Sequence, residues 1–214
     1  MIDYTLICES IPALVRGAAL SLQITLVALL IGLPLGTLLA FLEGSKSRFT
    51  RSLVTIYVTL FRGTPMLVQI LFVYYVLPQF GIMIPPFWAA SLALGLNSGA
   101  YVSQIMRSGI DAVSYGQVEA AMTLGFSRFA TIRYIVFPQA VRIAWPSLGN
   151  EFVTLVKDSS LASIIGVMEL SKEASIIRSR TYDAFSVLIA ASILYLIMTG
   201  LISYCVKRSQ KCWS

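Results

Sequence analysis

The chain has 214 residues, of which 57% are hydrophobic and only 12% are charged, and its formal net charge is +6. This composition, with a mean hydropathy of +0.80, is typical of a membrane protein and excludes an ordinary soluble domain. The sequence contains no histidine, which excludes serine–histidine and cysteine–histidine catalytic pairs and removes the usual zinc ligand. We therefore expect no catalytic residue and no metal site.

Five apolar segments are long enough to cross a bilayer, since each crossing takes about 20 mostly apolar residues. They cover approximately residues 20–42, 53–77, 87–106, 143–168 and 184–206. Together they predict an all-α polytopic membrane protein with a single transmembrane domain over residues 1–214.

Two of these segments contain features that are unusual in a simple membrane helix. Arg62 and Pro65 interrupt the second segment, and the prolines and glycine between residues 78 and 86 predict a hairpin before the third. The fourth segment carries three charged side chains within an otherwise apolar pattern. These are Glu151, Lys157 and Asp158.

The basic residues predict the orientation, because lysine and arginine near the ends of spans are retained on the cytoplasmic side. With the N-terminus outside and the C-terminus inside, the outer segments hold Arg16, Lys172, Arg178 and Arg180. The inner segments then hold Lys46, Arg48, Arg51, Arg107, Arg128, Arg133, Arg142, Lys207, Arg208 and Lys211. The positive net charge is explained by this topology, and we expect no nucleic-acid partner.

A polar region, residues 111–138, separates the third and fourth segments. Residues 119–124 are mostly good helix formers, and Gly125 suits a left-handed helix cap. Ser127 can cap a following helix, and we expect Pro138 to end it. The region therefore predicts two short helices bent around a glycine. In the predicted orientation this elbow faces the cytoplasm, where it can dock on another protein.

The chain lacks the signature of a nucleotide-hydrolysing protein. Residues 44–47 read Gly-Ser-Lys-Ser, but the Gly-Lys-Ser/Thr order and the upstream glycine of a phosphate-binding loop are missing. We therefore expect that this chain does not hydrolyse ATP itself.

Several motifs resemble those of ATP-binding-cassette importer permeases, in particular the polar amino acid subfamily. The elbow contains Glu-Ala-Ala at 119–121, then Gly125, then Ile-Val-Phe-Pro at 135–138. Further motifs extend the resemblance from about the first segment to the fifth: Phe-Arg-Gly-Thr-Pro-Met-Leu-Val-Gln at 61–69, Ala-Tyr at 100–101, Arg-Ser-Gly-Ile-Asp-Ala-Val at 107–113, and Asn-Glu-Phe-Val-Thr-Leu-Val-Lys-Asp-Ser-Ser-Leu at 150–161.

The resemblance implies a multi-pass subunit of the bacterial inner membrane that dimerises with itself or with a paralogue. Two cytoplasmic ATPase subunits would bind ATP and Mg²⁺, so this chain would need no cofactor of its own. A periplasmic or extracellular solute-binding protein would deliver the amino acid, and lipids would surround the spans.

The resemblance also implies that the elbow is the helix that couples the permease to its ATPase. The matching coupling residues are Glu119, Ala120, Ala121, Gly125, Phe126, Phe129 and Pro138. Two points stay open at this stage. Phe126, Phe129 and Ile132 either dock on the ATPase or pack back under the spans, and Arg128 and Arg133 contact either the ATPase or anionic lipids.

Polar residues within the spans predict the substrate pathway, because ionisable side chains at membrane depth usually face a partner or a wet cavity. On a helix, Glu151, Thr154 and Asp158 share one face, whereas Lys157 points about 100° away from Asp158. An amino acid needs acidic or carbonyl oxygens for its ammonium group and a cation or backbone N–H groups for its carboxylate. The predicted pathway residues are Arg62, Gly63, Thr64, Pro65, Glu151, Thr154 and Asp158.

Two alternatives to this interpretation remain. The charged residues Arg62, Glu151, Lys157 and Asp158 can instead form an internal salt-bridge network that joins two spans or gates the path. A stand-alone secondary transporter, which needs no ATPase, is the alternative of a different class.

The identity of the substrate rests on fewer residues. Glu151 favours a basic amino acid such as arginine, lysine or histidine. Ser-Arg-Thr at 179–181 also resembles cystine-type and neutral permeases, so cystine, glutamine or another neutral polar amino acid is the alternative. Gln104 stands where these permeases often have glutamate, which leaves the role of that position open.

Glycine pairs in two segments indicate close helix packing. Gly32 and Gly36 lie in the first segment, and Gly95 and Gly99 lie in the third, each pair at small-xxx-small spacing. We expect these pairs to serve contacts within the chain rather than the dimer seam.

Overall fold

The computed structural model describes residues 4–211, and this part of the chain contains helices and no strand. The predicted all-α class is confirmed. The α-helices are α1 (Tyr4–Glu43), α2 (Arg48–Gly63), α3 (Met66–Leu71), α4 (Pro86–Asp111), α5 (Tyr115–Thr123), α6 (Arg128–Thr131), α7 (Phe137–Asp158), α8 (Leu170–Thr181) and α9 (Ala184–Lys211). Turns of π-helix cover Phe72–Val76 and Ile132–Val136, and turns of 3-10 helix cover Leu77–Phe80 and Ser159–Ile165.

Helix α1 is longer than the predicted first span, since it begins at Tyr4 rather than near residue 20. Its first turns are stabilised by α8, a helix that the sequence did not predict. Leu14 is completely buried in the cluster that joins α1 to α8 and α9. Gly17 lies so close to Leu170 that an added Cβ would approach the Leu170 backbone to 2.9 Å.

The second predicted segment is two helices. Helix α2 and the helical segment Met66–Phe80, which begins with α3, meet at Thr64 and Pro65, and the angle of the bend between them is 104°. The predicted interruption at Pro65 is confirmed, whereas Arg62 does not interrupt the helix and lies in the last turn of α2. Proline explains the position of the break, because it disfavours helical geometry in the residue before it.

Two helices of residues 4–211, α1 and α9, are both long and apolar enough to cross a membrane, and the bent pair adds a third crossing if it forms one span. Helices α4 and α7 have 26 and 22 residues, which at about 1.5 Å per residue also suffices in length. Their composition is more polar, because both line the cavity described below. The five spans and their orientation remain predictions.

Helices α1 and α4 form the most extensive contact between helices. Gly36 lies opposite Val102 and the Gly99 carbonyl, and Gly95 lies opposite Ile31. Each glycine removes a side chain at the point where the partner helix projects one. The expectation that these glycines serve packing within the chain is confirmed.

A buried carboxylate, Glu169, joins α1, α8 and α9. Its Oε2 accepts hydrogen bonds from the Ser21 hydroxyl at 3.3 Å, the Tyr195 hydroxyl at 2.9 Å and the Ser171 backbone N–H at 2.9 Å. Its Oε1 accepts from the Lys172 backbone N–H at 2.7 Å, so Glu169 also caps α8. Four donors compensate for the complete burial of this carboxylate. No role for Glu169 was predicted from the sequence.

Replacing Gly36 with alanine tests the α1–α4 contact. The new Cβ would lie 2.6 Å from Val102 side-chain atoms and 2.7 Å from the Gly99 carbonyl oxygen, so the helices must separate. We expect Gly36→Ala to lower stability by about 1–3 kcal/mol, measured as a lower thermal midpoint of the purified protein in detergent.

The matched control is Gly200→Ala, since nothing lies within 4 Å of a Cβ at Gly200. Alanine favours a helix over glycine by up to about 1 kcal/mol, so this control should be unchanged or slightly stabilised. Equal midpoints for the two variants would contradict the close contact.

Candidate functional site

A partly open cavity of about 500 Å³ lies where the α2–α3 break meets α4 and α7. Five of the seven predicted pathway residues line it, namely Thr64, Pro65, Glu151, Thr154 and Asp158. The other lining residues are Met66, Asn97, Tyr101, Ile105, Ser147 and Asn150. Residues that are distant in the sequence therefore meet in one polar cavity.

Helix α7 supplies the acidic side of the cavity. Glu151 is 9% exposed, and Thr154 and Asp158 follow on the same helix face. Lys157 faces a different cleft, together with Ser171 and Tyr195 of α8 and α9. The predicted separation of Lys157 from the acidic stripe is confirmed.

Arg62 does not pair with the acidic stripe. Its guanidinium lies over the ring of Tyr101, 5.2 Å from the ring centroid. It lines an adjoining cavity of about 320 Å³, which shares Tyr101, Ile105 and Ser147 with the first. Among residues 4–211 the ion pair that the structure contains joins Arg107 to Asp111. The salt-bridge network considered as an alternative is therefore absent from this part of the chain.

Two side-chain amides stabilise the break between α2 and α3. Gln69 Nε2 donates to the carbonyls of Phe61 at 2.8 Å and Thr64 at 3.1 Å, and to the Thr64 hydroxyl at 2.9 Å. Asn97 Nδ2 of α4 donates to the Phe61 carbonyl and to Gln69 Oε1, both at 3.0 Å. These bonds satisfy carbonyls that the interrupted helix leaves without a partner.

Ser98 lies beside this amide pair and is completely buried. Its hydroxyl has no hydrogen-bond partner of normal geometry among the described residues, although Glu151 is near enough to interact with it. A buried polar atom without a partner is uncommon. No role for Ser98, Gln69 or Asn97 was predicted from the sequence. Amide and hydroxyl side chains within apolar helices are the pattern that could have identified them.

The elbow consists of α5 and α6 joined by a left-handed glycine, as predicted. Gly125 has φ +85°, and the Phe126 N–H donates back to the Ala121 carbonyl at 3.1 Å. Ser127 caps α6 through the Ala130 N–H at 3.2 Å. The prediction that Pro138 ends the helix is wrong. The chain passes through the π turn into α7, where proline occupies the first turn and needs no N–H partner.

The elbow presents an apolar surface to its surroundings. Phe129 is 75% exposed, and Phe126 and Ile132 are each 41% exposed. Phe129 is therefore largely free of contact with the other described residues, whereas Phe126 and Ile132 are partly covered, and Ile132 lines a groove with Ile110, Val118 and Val136. Glu119 and Ala120 are also exposed, whereas Ala121 is buried. Exposed apolar side chains that lie close together are typical of an interaction surface.

Comparison with known proteins identifies the class. Residues 32–211 match the family described as binding-protein-dependent transport system inner membrane component. The glutamine transport system permease protein of Escherichia coli K12 is 35% identical over 211 residues, which cover 98% of this chain and 96% of that protein. The nopaline transport system permease protein of Agrobacterium fabrum is 40% identical over 218 residues, covering 97% and 90%.

A solved structure agrees with these relatives. The crystal structure of an amino acid ATP-binding-cassette transporter with histidines is 37% identical, covers 99% of both chains and superposes with a TM-score of 0.91. The chain therefore belongs to the inner membrane permeases of binding-protein-dependent transport systems. The resemblance found in the sequence is confirmed, and the protein is an inner membrane protein.

Replacing Gln69 with methionine tests the amide pair. Methionine has a similar size but no donor, so the Thr64 carbonyl would lose its side-chain partner. We expect Gln69→Met to cost about 1–3 kcal/mol of stability, measured as a lower thermal midpoint in detergent. Gln79→Met is the control, because Gln79 is exposed and its side chain has no hydrogen bond to the described residues. A similar loss in both variants would argue against a specific role of Gln69.

Proposed function

We propose that this chain is the permease subunit of an ATP-driven importer that moves a polar amino acid across the inner membrane. Family membership supports the transport role, and the names of the relatives support an amino acid. The observation that carries the proposal for this chain is the polar cavity at the α2–α3 break, where two carboxylates, two amides and several hydroxyls converge. This combination matches the ammonium and carboxylate of a free amino acid.

In this proposal Glu151 and Asp158 receive the α-ammonium group, and Thr154 adds a hydroxyl. Thr64 and Asn97, with the backbone exposed around Gly63 and Pro65, meet the substrate from the opposite wall. Arg62 is the cation next along the path, because its cavity adjoins the first across Tyr101. A carboxylate that passes from one cavity to the other would replace the aromatic ring as the partner of this guanidinium.

Glutamine is our first candidate substrate, since it is the amino acid named for a close relative. The preference for a basic amino acid such as arginine finds no support in the names of the relatives. One physical argument still favours a basic amino acid. The cavity holds two carboxylates, so one can bind the α-ammonium group and the other can bind a cationic side chain. Cystine is a further alternative. Direct comparison of cationic and neutral substrates separates the basic amino acids from glutamine and cystine, and competition between glutamine and cystine separates these two.

We propose that the elbow couples ATP hydrolysis by a separate subunit to transport by this chain. A separate ATPase would bind ATP and Mg²⁺ and cover the exposed patch of Phe126 and Phe129, with Glu119, Ala120 and Pro138 at its border, whereas the buried Ala121 packs within this chain. A second permease copy or paralogue would complete the pathway, and a solute-binding protein would deliver the substrate. Family membership supports these partners.

Substitution of Gly125 tests the coupling role. Nothing lies within 4 Å of a Cβ at Gly125 in this chain, so Gly125→Asp should permit folding while its side chain and backbone strain disturb the docked ATPase. We expect normal membrane insertion and loss of substrate-stimulated ATP hydrolysis and uptake in reconstituted transporter. Gly81→Asp is the matched control, because Gly81 has the same left-handed conformation, with φ +81°, and no neighbour within 4 Å.

Equal activity of the two variants would rule out a coupling role for Gly125. Uptake by the purified chain alone in liposomes, driven only by an ion gradient, would replace the importer with a secondary transporter.

Substitution of Glu151 tests substrate recognition. If Glu151 binds a cationic side chain, Glu151→Gln should reduce uptake of arginine more than uptake of glutamine, by about tenfold or more. If it binds the α-ammonium, both substrates should lose a similar factor. Competition for radiolabelled uptake into proteoliposomes measures the two. Glu173→Gln of α8, which removes the same charge outside the cavity, should change neither; unchanged uptake in Glu151→Gln would exclude substrate contact.

A further inference from the structure

A second polar cleft lies at the opposite end of α2 from the cavity. It has a volume of about 510 Å³ and is formed by the end of α1, the first two turns of α2 and the last turns of α4. Its lining residues are Glu43, Arg48, Arg51, Ser52, Thr55 and Arg107. All three arginines belong to the group that the sequence predicts to be cytoplasmic.

The cleft has an excess of positive charge. Arg107 is paired with Asp111, and Glu43 accepts a hydrogen bond from Gln104 Nε2 at 3.0 Å. The side chains of Arg48 and Arg51 are exposed and have no hydrogen bond or ion pair to any residue between 4 and 211. Two unpartnered guanidinium groups therefore face the cleft, at the first turn of a 16-residue helix whose dipole adds positive potential.

An exposed apolar strip begins beside this cleft and runs along α2. Phe49 is 73% exposed, Leu53 51%, Ile56 59% and Leu60 54%. Their spacing of four, three and four residues places them on one helix face. The polar residues of the cleft, from Arg48 to Thr55, occupy the neighbouring face. A ligand with an anionic head and an apolar tail matches this arrangement.

We propose that this cleft binds the phosphate headgroup of an anionic phospholipid. Arg48 and Arg51 hold the phosphate, because guanidinium groups match phosphate oxygens in geometry and charge. The acyl chains lie along the strip from Phe49 to Leu60. A soluble phosphate shares the headgroup chemistry but leaves the strip uncovered, so the strip selects the lipid. The bound lipid fixes the start of α2, whose other end forms the break at the cavity.

The test is a binding titration of the purified full-length transporter in detergent by native mass spectrometry. The probes are phosphatidylglycerol, phosphatidylcholine of the same chain length, and glycerol 3-phosphate as a soluble competitor. Each basic residue near an anionic lipid contributes about a fivefold gain in binding. We expect the double variant Arg48→Gln/Arg51→Gln to bind phosphatidylglycerol about 25-fold more weakly and phosphatidylcholine unchanged. Arg178→Gln/Arg180→Gln of α8 is the matched control and should retain full binding.

Equal phosphatidylglycerol binding by the wild type and the cleft variant overturns the proposal, as does an equal loss in the control. Glycerol 3-phosphate that competes at the same concentration as the lipid overturns the lipid and assigns the cleft to a soluble phosphate.

A gain-of-binding variant keeps the test valid if the double variant fails to fold. Glu43→Gln removes the carboxylate that lines the cleft and leaves an amide for Gln104 to bond. We expect it to bind phosphatidylglycerol about fivefold more tightly. Unchanged or weaker binding in a folded Glu43→Gln protein contradicts the proposal.

Discussion

The cavity exists because a helix is interrupted between α2 and α3, and the interruption leaves backbone carbonyls that side chains must satisfy. A broken helix exposes carbonyl groups, and each costs free energy if it stays unpaired in a low-dielectric environment. Gln69, which lies within the broken segment, and Asn97, which lies on α4, donate hydrogen bonds to these carbonyl groups. Because the two amides also bond to each other, the wall that carries Thr64 and Pro65 is fixed relative to α4.

The surrounding helices hold this arrangement by two different means. Glycines let α1 approach α4 closely, so that the contact depends on shape and tolerates no added volume. At the other side of α1, Glu169 uses charge-assisted hydrogen bonds to tie α8 and α9 to Ser21. Helix α1 therefore has stabilising contacts along most of its length, which explains why it extends well beyond the predicted first span.

The sequence predicted those features that depend on local patterns. Gly125 and Ser127 were sufficient to predict the bend and the helix cap of the elbow. The spacing of Glu151, Thr154 and Asp158 was sufficient to predict that they share one helix face. Features that depend on distant partners were missed. The role of Glu169 depends on four hydrogen-bond donors that only the folded structure brings to it. The position of Arg62 over the Tyr101 ring depends on where the break between α2 and α3 places its guanidinium group. Pro138 was misjudged because the same residue can end one helix or begin another.

Because Pro138 begins α7 and does not end the second elbow helix, the elbow is continuous with a long helix. From Arg128 to Asp158 the backbone is helical throughout, passing from α6 through the π turn of Ile132–Val136 into α7. This path has 31 residues, or roughly 45 Å at a helical rise. The exposed Phe129 stands near one end, and the carboxylates of the cavity stand near the other. No loop lies between them, so the exposed elbow and the cavity are joined by continuous helix, and the π turn and Pro146 are the two places on this path where the regular α-helical hydrogen-bond pattern is interrupted.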